Sequence, residues 1–393
     1  MSPERCVKEE SERSAGQIAK RAGSRRKGSR ATRHQSGIDY SSVVPFYRLV
    51  LMESAAEHEQ YGERAAPGLS MVPLLEVQNL HVAYRARTGV LLPAVTGVSF
   101  QVQAGETLGI LGESGSGKSS LAAALLRLLP NHGSIAKGAV YFEGQDLLHL
   151  SADALEKIRG GRIGLIFQEA ALALHPTIRV GLQISEVLAA HTTLDSSARQ
   201  ARTLQLLTAL FSAEAQRIGQ AYPHQLSGGQ RQRILTAQAI ACNPALLIAD
   251  EPTASLDSAT QQEILALLLS LREQLHLAMI LISHNPAVIA RVADRVLVLY
   301  AGRVAETGPA QEVLASPRHP YTQGLLGSLP TVQQAGKQKL PAIPGETLEI
   351  SRVVSGCPFE PRCAARLDAC AEAAPSEVTL PVQRTVFCFR YGD

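Results

Sequence analysis

Hydrophobic and polar positions fall into two rhythms along this chain. From Leu74 onward, Leu75-Glu76-Val77, His81-Val82-Ala83-Tyr84 and Gly97-Val98-Ser99-Phe100-Gln101-Val102 alternate apolar with polar. A period of two predicts strands with one buried face, hence an antiparallel β patch. Glu106–Leu111, Ile163–Phe167, Ala245–Ala249, Ala278–Ile282 and Val296–Tyr300 are instead short apolar runs. Such runs fit parallel strands buried on both faces, the last closing the sheet. Between them the period becomes helical. A helix is expected from Ser120 to Leu129, another from Ala259 to Leu275, and a helical region over about 178–235. In that region Leu204, Leu207, Leu210 and Phe211 mark one face of the segment Ala198–Phe211. The alternation of strand and helix predicts an α/β fold.

Residues 1 to about 70 show neither period. Lys20, Arg21, Arg25, Arg26, Lys27, Arg30 and Arg33 lie among Gly, Ser and Ala, a composition too poor in apolar residues to order itself. It reads as a solvated tail, as sequence ahead of a translation start at Met71, or as a weak hold on anionic lipid or nucleic acid. The first two are favoured. The chain of 393 residues has room for two or three compact units, and its net charge of +3 is too small to imply a nucleic-acid partner for the whole. No apolar run approaches the about eighteen residues that cross a bilayer. Val43–Met52 is short and holds Pro45 and Arg48, and no secretory signal pattern leads the chain. A soluble protein that reaches membranes through partners is expected.

The chemistry starts at Gly112-Glu113-Ser114-Gly115-Ser116-Gly117-Lys118-Ser119-Ser120. This is the phosphate-binding loop pattern G-x-x-x-x-G-K-S, set between an apolar strand and a helix as the motif requires. Bare glycines let successive N–H groups turn onto phosphate oxygens, and the helix N-terminus adds partial positive charge. Lys118 reaches the β- and γ-phosphates, and Ser119 offers a hydroxyl to magnesium. Further on come Leu226-Ser227-Gly228-Gly229-Gln230 and then Ala245-Leu246-Leu247-Ile248-Ala249-Asp250-Glu251. An apolar strand ending in two carboxylates would place them beside the loop, at the carboxyl edge of a parallel sheet.

In this order the three motifs resemble the ATP-binding subunits of ABC transporters, over residues 74–393. The resemblance implies a P-loop NTPase of the ABC nucleotide-binding type, with a RecA-like core, an antiparallel β subdomain and an inserted helical subdomain. It implies ATP and Mg2+ as ligands. By resemblance Tyr84 stacks on adenine, the favoured reading, with an edge aromatic of the sheet as the other. Gln168 matches the Q-loop, able to ligate magnesium and position water. Asp250 holds magnesium, Glu251 is the general base, and His284 is the switch histidine that touches the γ-phosphate. Ser227, Gly228, Gly229 and Gln230 bind the nucleotide held by an opposite subunit. Asp257 belongs to a D-loop that crosses the dimer interface, or simply caps the following helix. The active form implied is a face-to-face dimer enclosing two ATP molecules. Two departures stand out. Relatives read close to Ser-Leu-Asn-Pro where this chain has Ala173-Leu174-His175-Pro176, which bears on docking. They carry Asp where this chain has Asn285, which should alter the charge balance of His284 slightly without abolishing turnover.

The chain continues past Gly302-Arg303-Val304. Ser316–Pro330, which includes His319-Pro320-Tyr321-Thr322-Gln323-Gly324, is followed by Ile343-Pro344-Gly345 and Gly356-Cys357-Pro358-Phe359-Glu360-Pro361-Arg362-Cys363. These strings resemble the C-terminal extension of oligopeptide/dipeptide permease ATPases. Domains are therefore expected at 1–70, 71–315 and 316–393. Cys357, Cys363, Cys370 and Cys388 leave gaps of five, six and seventeen residues. Four thiols so spaced suit a [4Fe–4S] cluster, zinc, or no ligand; the resemblance favours the cluster, in a structural or redox-sensing role. The resemblance also implies two membrane-embedded permease subunits, a second ABC ATPase (a copy or a paralogue), and, indirectly, an extracytoplasmic substrate-binding protein. The chain would then work as a peripheral protein on the cytoplasmic face of the cell membrane, hydrolysing ATP to import di- and oligopeptides, with nickel or another small solute as the alternative cargo. A soluble ABC ATPase acting on nucleic acid, or an inactive assembly subunit, are the competing readings. A single cassette without heptads speaks against the former, and the presence of Glu251 and His284 against the latter.

Overall fold

The computed structural model describes residues 72–168, 173–328, 342–345 and 355–392. The basic segment 1–70 lies outside them. Strands β1 (Leu75–Arg85) and β2 (Leu91–Val102) pair antiparallel. Strand β3 (Thr107–Leu111) leaves for a second sheet and is followed by helix α1 (Lys118–Leu125). Strand β4 (Gly133–Phe142) then returns to β1, with the two-residue β5 (Gln145–Asp146) at the edge, giving the order β2-β1-β4-β5. The two alternating runs expected within 75–84 are one strand. Their rhythms do not join because the register shifts between Val77 and Leu80, where Asn79 takes φ +45°. An irregularity of this kind resets which face looks inward. On the inward face Leu75, Val77, Leu80 and Val82 are buried against Leu121, Leu125 and Phe142.

The second sheet is completed by β6 (Ile163–Ile166), β7 (Leu246–Asp250), β8 (Ala278–Ser283), β9 (Arg295–Tyr300), β10 (Arg303–Pro309), β11 (Val378–Leu380) and β12 (Arg384–Val386). Its order is β11-β12-β10-β9-β3-β8-β7-β6. Strands β6, β7, β8, β3 and β9 run parallel. The run lengths and burial expected for them hold, because every residue of β3, β7 and β8 is buried. The sheet does not close at β9. Strand β10 turns back antiparallel, and β12 of the extension pairs with it, Glu306 opposite Val386. The sheet thus runs across the boundary expected near residue 316.

After α1 the helices are α2 (Ala152–Ile158), α3 (Val180–His191), α4 (Ser196–Phe211), α5 (Ala215–Gln220), α6 (Gly228–Ile240), α7 (Ser258–Leu275), α8 (Pro286–Val292), α9 (Ala310–Ala315), α10 (Pro320–Gly327) and the four-residue α11 (Ala369–Glu372). Helices α3 to α6 bury their own apolar cluster, which includes Leu188, Leu207, Ile218 and Ile234. This is the helical insertion expected between β6 and β7. Leu271 of α7 joins it to the sheet body. Helix α1 starts two residues ahead of its expected position, since Gly117 at φ +100° is its N-cap.

Candidate active site

Strand register builds the site. Leu111 at the end of β3 pairs with Ser283 at the end of β8, and Ile282 pairs with Asp250 at the end of β7. Gly112, Glu251 and His284 are therefore the first residues beyond three adjacent parallel strands. Loops leaving such carboxyl ends form the ligand crevice of open α/β sheets.

The P-loop closes on its own lysine. Lys118 is buried, and its Nζ donates to the carbonyls of Gly112 and Glu113, both at 2.8 Å. Burial lowers the pKa of Lys118, while Glu251, Asp250 and Glu113 act in the opposite sense. At Gly117 a Cβ would lie 2.4 Å from the Ala94 carbonyl, and φ is +100°. Both conditions demand glycine there.

Asp250 is buried beside the loop. Burial raises its pKa, and a hydrogen bond from Ser119 opposes the rise. Its Oδ1 is buried without a hydrogen-bond partner. Glu251, also buried, sits at φ +49°; its Oε1 accepts from the His284 backbone N–H at 2.9 Å and lies 2.8 Å from His284 Nδ1. Lys118, Ser119, Asp250, Glu251 and His284 thus come together. Tyr84 is half-buried on the other side of α1, with its hydroxyl donating to Ser120 Oγ at 3.0 Å and its ring tilted against His132.

Gln168 is exposed, two residues past β6; residues 169–172 lie outside the described residues. Ser227 caps α6 in a reciprocal box with Gln230: Ser227 Oγ accepts from Gln230 N–H at 3.2 Å, and Gln230 Oε1 accepts from Ser227 N–H at 3.0 Å. A Cβ on Gly229 would meet Thr260 at 2.5 Å, so this loop packs on the start of α7. Asp257 caps α7, accepting from Ala259 and Thr260 N–H and from the Thr260 hydroxyl; these bonds, Thr260 first, lower its pKa. The cap is thus present at Asp257. Asn285 caps α8, accepting from Ala287 N–H at 2.9 Å, a task for which Asn and Asp are equivalent.

Two partners of the P-loop had no assigned part in the sequence. Glu113 N–H donates to the Tyr321 hydroxyl, and the Glu113 carboxylate pairs with Arg362. Both lie in strings singled out above, but no residue spacing reveals contacts across such separations.

Cys357, Cys370 and Cys388 are buried and Cys363 half-buried. Burial pushes the Cys357 thiol up to about 11. Cys370 Sγ takes the Leu367 N–H at 3.5 Å, and the other three sulfurs take the N–H groups of Phe359, Ala365 and Arg390. Among the described residues no group of three or more His, Cys, Asp or Glu side chains is disposed to hold a metal ion. As placed, the thiols are hydrogen-bonded packing groups, and the expected iron–sulfur cluster is not supported by their arrangement.

A phosphate loop at the edge of a parallel sheet, faced by paired carboxylates and a histidine, defines a nucleotide-hydrolysing cassette. The family model described as ABC transporter matches residues 95–254, and that described as Oligopeptide/dipeptide transporter, C-terminal region, matches residues 305–370. The chain is 42% identical over 317 residues to the oligopeptide transport ATP-binding protein OppD of Escherichia coli, covering 81% of this chain and 93% of that protein. It is 43% identical over 287 residues to OppD of Bacillus subtilis, covering 73% and 80%. The dimeric ATP-binding cassette MJ0796, bound to ADP and Pi in a post-hydrolysis state, aligns with TM-score 0.54 and 29% identity, over 60% of this chain and 98% of that chain. The chain belongs to the ATP-binding subunits of ABC transporters, in their oligopeptide branch, and is an ATPase.

Proposed function

We propose that this ATPase drives import of di- and oligopeptides through membrane-embedded partner subunits. The observation that carries the reading is a phosphate loop faced by a carboxylate–histidine pair and joined to a C-terminal region that matches the oligopeptide/dipeptide transporter model. Lys118, now held by two loop carbonyls, is the cation that turns onto the β- and γ-phosphates when ATP enters. Glu251 is the base toward the attacking water, and its bond to His284 keeps it at the γ-phosphate end of the crevice. Gln168 senses the nucleotide from the exposed edge. The orphaned Asp250 Oδ1 beside Ser119 suits magnesium, which would neutralise phosphate charge there.

Ser227–Gln230 and Asp257 form a second surface, and they complete the site of an opposing ATPase subunit, a copy or a paralogue. Phe167, beside Gln168, is 52% exposed; this apolar edge receives a cytoplasmic segment of the permease. Among the described residues no helix is long and apolar enough to cross a membrane, which accords with a peripheral position on the cytoplasmic face. The substrate-binding protein takes part only indirectly.

The four cysteines carry a separate reading. It rests on donor type alone: four thiols suit a [4Fe–4S] cluster or zinc only if they gather from the placement described above. Iron with acid-labile sulfide in anaerobically purified protein supports the cluster; zinc without sulfide contradicts it.

Affinity purification from membranes tests the transport reading. Two polytopic proteins should come with the chain, and a peptide-loaded binding protein should stimulate the complex's ATPase activity. Recovery of the chain free of membrane proteins, or bound to ribosomes or DNA, would contradict it.

A further inference from the structure

Two distant strings of the extension meet on one residue of the phosphate loop, and a third holds one of them. The Glu113 N–H donates to Tyr321 Oη at 2.9 Å. Its carboxylate takes two bonds from Arg362, Nη1 to Oε2 at 2.8 Å and Nη2 to Oε1 at 3.3 Å. Its carbonyl accepts Lys118 Nζ at 2.8 Å. Every polar backbone group of Glu113, and its side chain, is thereby occupied, two of them by the extension.

Arg362 is itself held. Its Nε donates to the Pro344 carbonyl at 3.1 Å, and its Nη1 reaches Tyr300 Oη at 3.4 Å. Only 6% of the Arg362 side chain is exposed. Tyr321 is wedged between Tyr300 and Phe359, with ring centroids at 4.5 and 5.5 Å. Tyr321 follows His319-Pro320, Pro344 sits in Ile343-Pro344-Gly345, and Arg362 precedes Cys363. The strings that mark the extension in the sequence thus converge on a single contact.

The charge at this contact matters to an anion site. Asp250 and Glu251 already line the crevice, and Lys118 answers them. A free carboxylate on the second residue of the loop would add repulsion toward a triphosphate. Paired with a planar guanidinium in a partly buried fork, it is neutralised and fixed.

We propose that Arg362, assisted by Tyr321, is a positioning residue of the ATP site. The extension holds Glu113 so that its carboxylate stays off the phosphates and its carbonyl aims Lys118. This rests on the P-loop being the ATP site.

The test is binding of a fluorescent N-methylanthraniloyl ATP with magnesium to the full chain, with thermal melts confirming the fold. Arg362→Gln frees the carboxylate and should weaken binding about tenfold. Glu113→Gln removes that charge together with the anchor and should weaken binding less than Arg362→Gln does, about threefold. The double variant Glu113→Gln/Arg362→Gln should return to the level of Glu113→Gln. A merely structural role predicts no such relief, with the double variant as weak as Arg362→Gln or weaker. Arg362→Lys keeps the charge but not the fork and should recover part of the loss. Tyr321→Phe deletes one hydroxyl and should weaken binding about threefold, which covers the case in which Arg362→Gln fails to fold. Wild-type affinity in both Arg362→Gln and Tyr321→Phe overturns the proposal, as does a loss in Arg362→Gln that Glu113→Gln does not relieve. Wild-type protein that binds no nucleotide overturns the ATP-site reading itself.

Discussion

Glu251 occupies a left-handed backbone position at φ +49° and is locked to His284 by two contacts of one carboxylate oxygen. A non-glycine residue in that region stores strain, which is tolerated where geometry serves chemistry. Replacing only the base should leave the phosphate cradle intact. Glu251→Gln is expected to keep ATP affinity while hydrolysis falls roughly 10²–10⁴-fold; phosphate release in single-turnover conditions reads it, and unchanged hydrolysis would remove Glu251 from the mechanism.

A second residue sets a pH limit. His319 is buried, caps α10 through Nδ1, and is bonded on its other side to the Phe387 backbone. Burial brings its pKa from 6.5 down to about 4. The unfolded chain therefore binds the proton first. Stability attributable to His319 is present above about pH 6.5 and is lost as pH falls toward 4, by up to roughly 3 kcal/mol. Melting temperatures between pH 7 and 4.5 should fall less steeply in His319→Gln; parallel curves would show that this histidine is not responsible.

At the scale of elements, the departure from Asp to Asn at position 285 has a local explanation. The Asn285 side chain caps α8 immediately after His284. Asn285→Ala should cost about 0.5–2 kcal/mol, and Asn285→Asp should cost nothing measurable or stabilise slightly through the helix dipole. Urea unfolding of the two variants checks this.

The core strands were legible because residues buried on both faces leave continuous apolar runs, as in β7 and β8. The amphipathic helices were legible by period, as in α4 and α7. Strands β4 and β10 to β12 were not. β4 buries no residue along Gly133–Gly138, and β11 and β12 have three residues each, too few for a period to register. Lys118, Asp250, Glu251 and His284 were legible from motif order, since each ends or follows a recognisable strand. The Arg362–Glu113 pair was not, because it spans 249 residues of sequence and depends on how the extension folds back.

At the scale of the whole molecule, two ion-paired carboxylates help tie the extension into the ATPase body. One is Glu113. The other is Glu306, fully buried on β10, which accepts from Arg384 at 2.6 Å and from the N–H groups of Arg318 and His319. Removing one partner of a buried pair leaves an uncompensated charge. Arg384→Ala should lower stability by about 3–5 kcal/mol, read by denaturant unfolding of the full chain; an unchanged midpoint would show that the extension docks without this pair. Attachment of this kind makes the extension part of the engine.

ATP hydrolysis by this chain powers peptide uptake. Uptake of labelled di- and oligopeptides by cells lacking the protein, complemented with wild type or Glu251→Gln, tests it most directly. Peptide uptake should be lost in the deletion and restored by wild type alone. Peptide uptake that survives the deletion, or that Glu251→Gln restores fully, would contradict it.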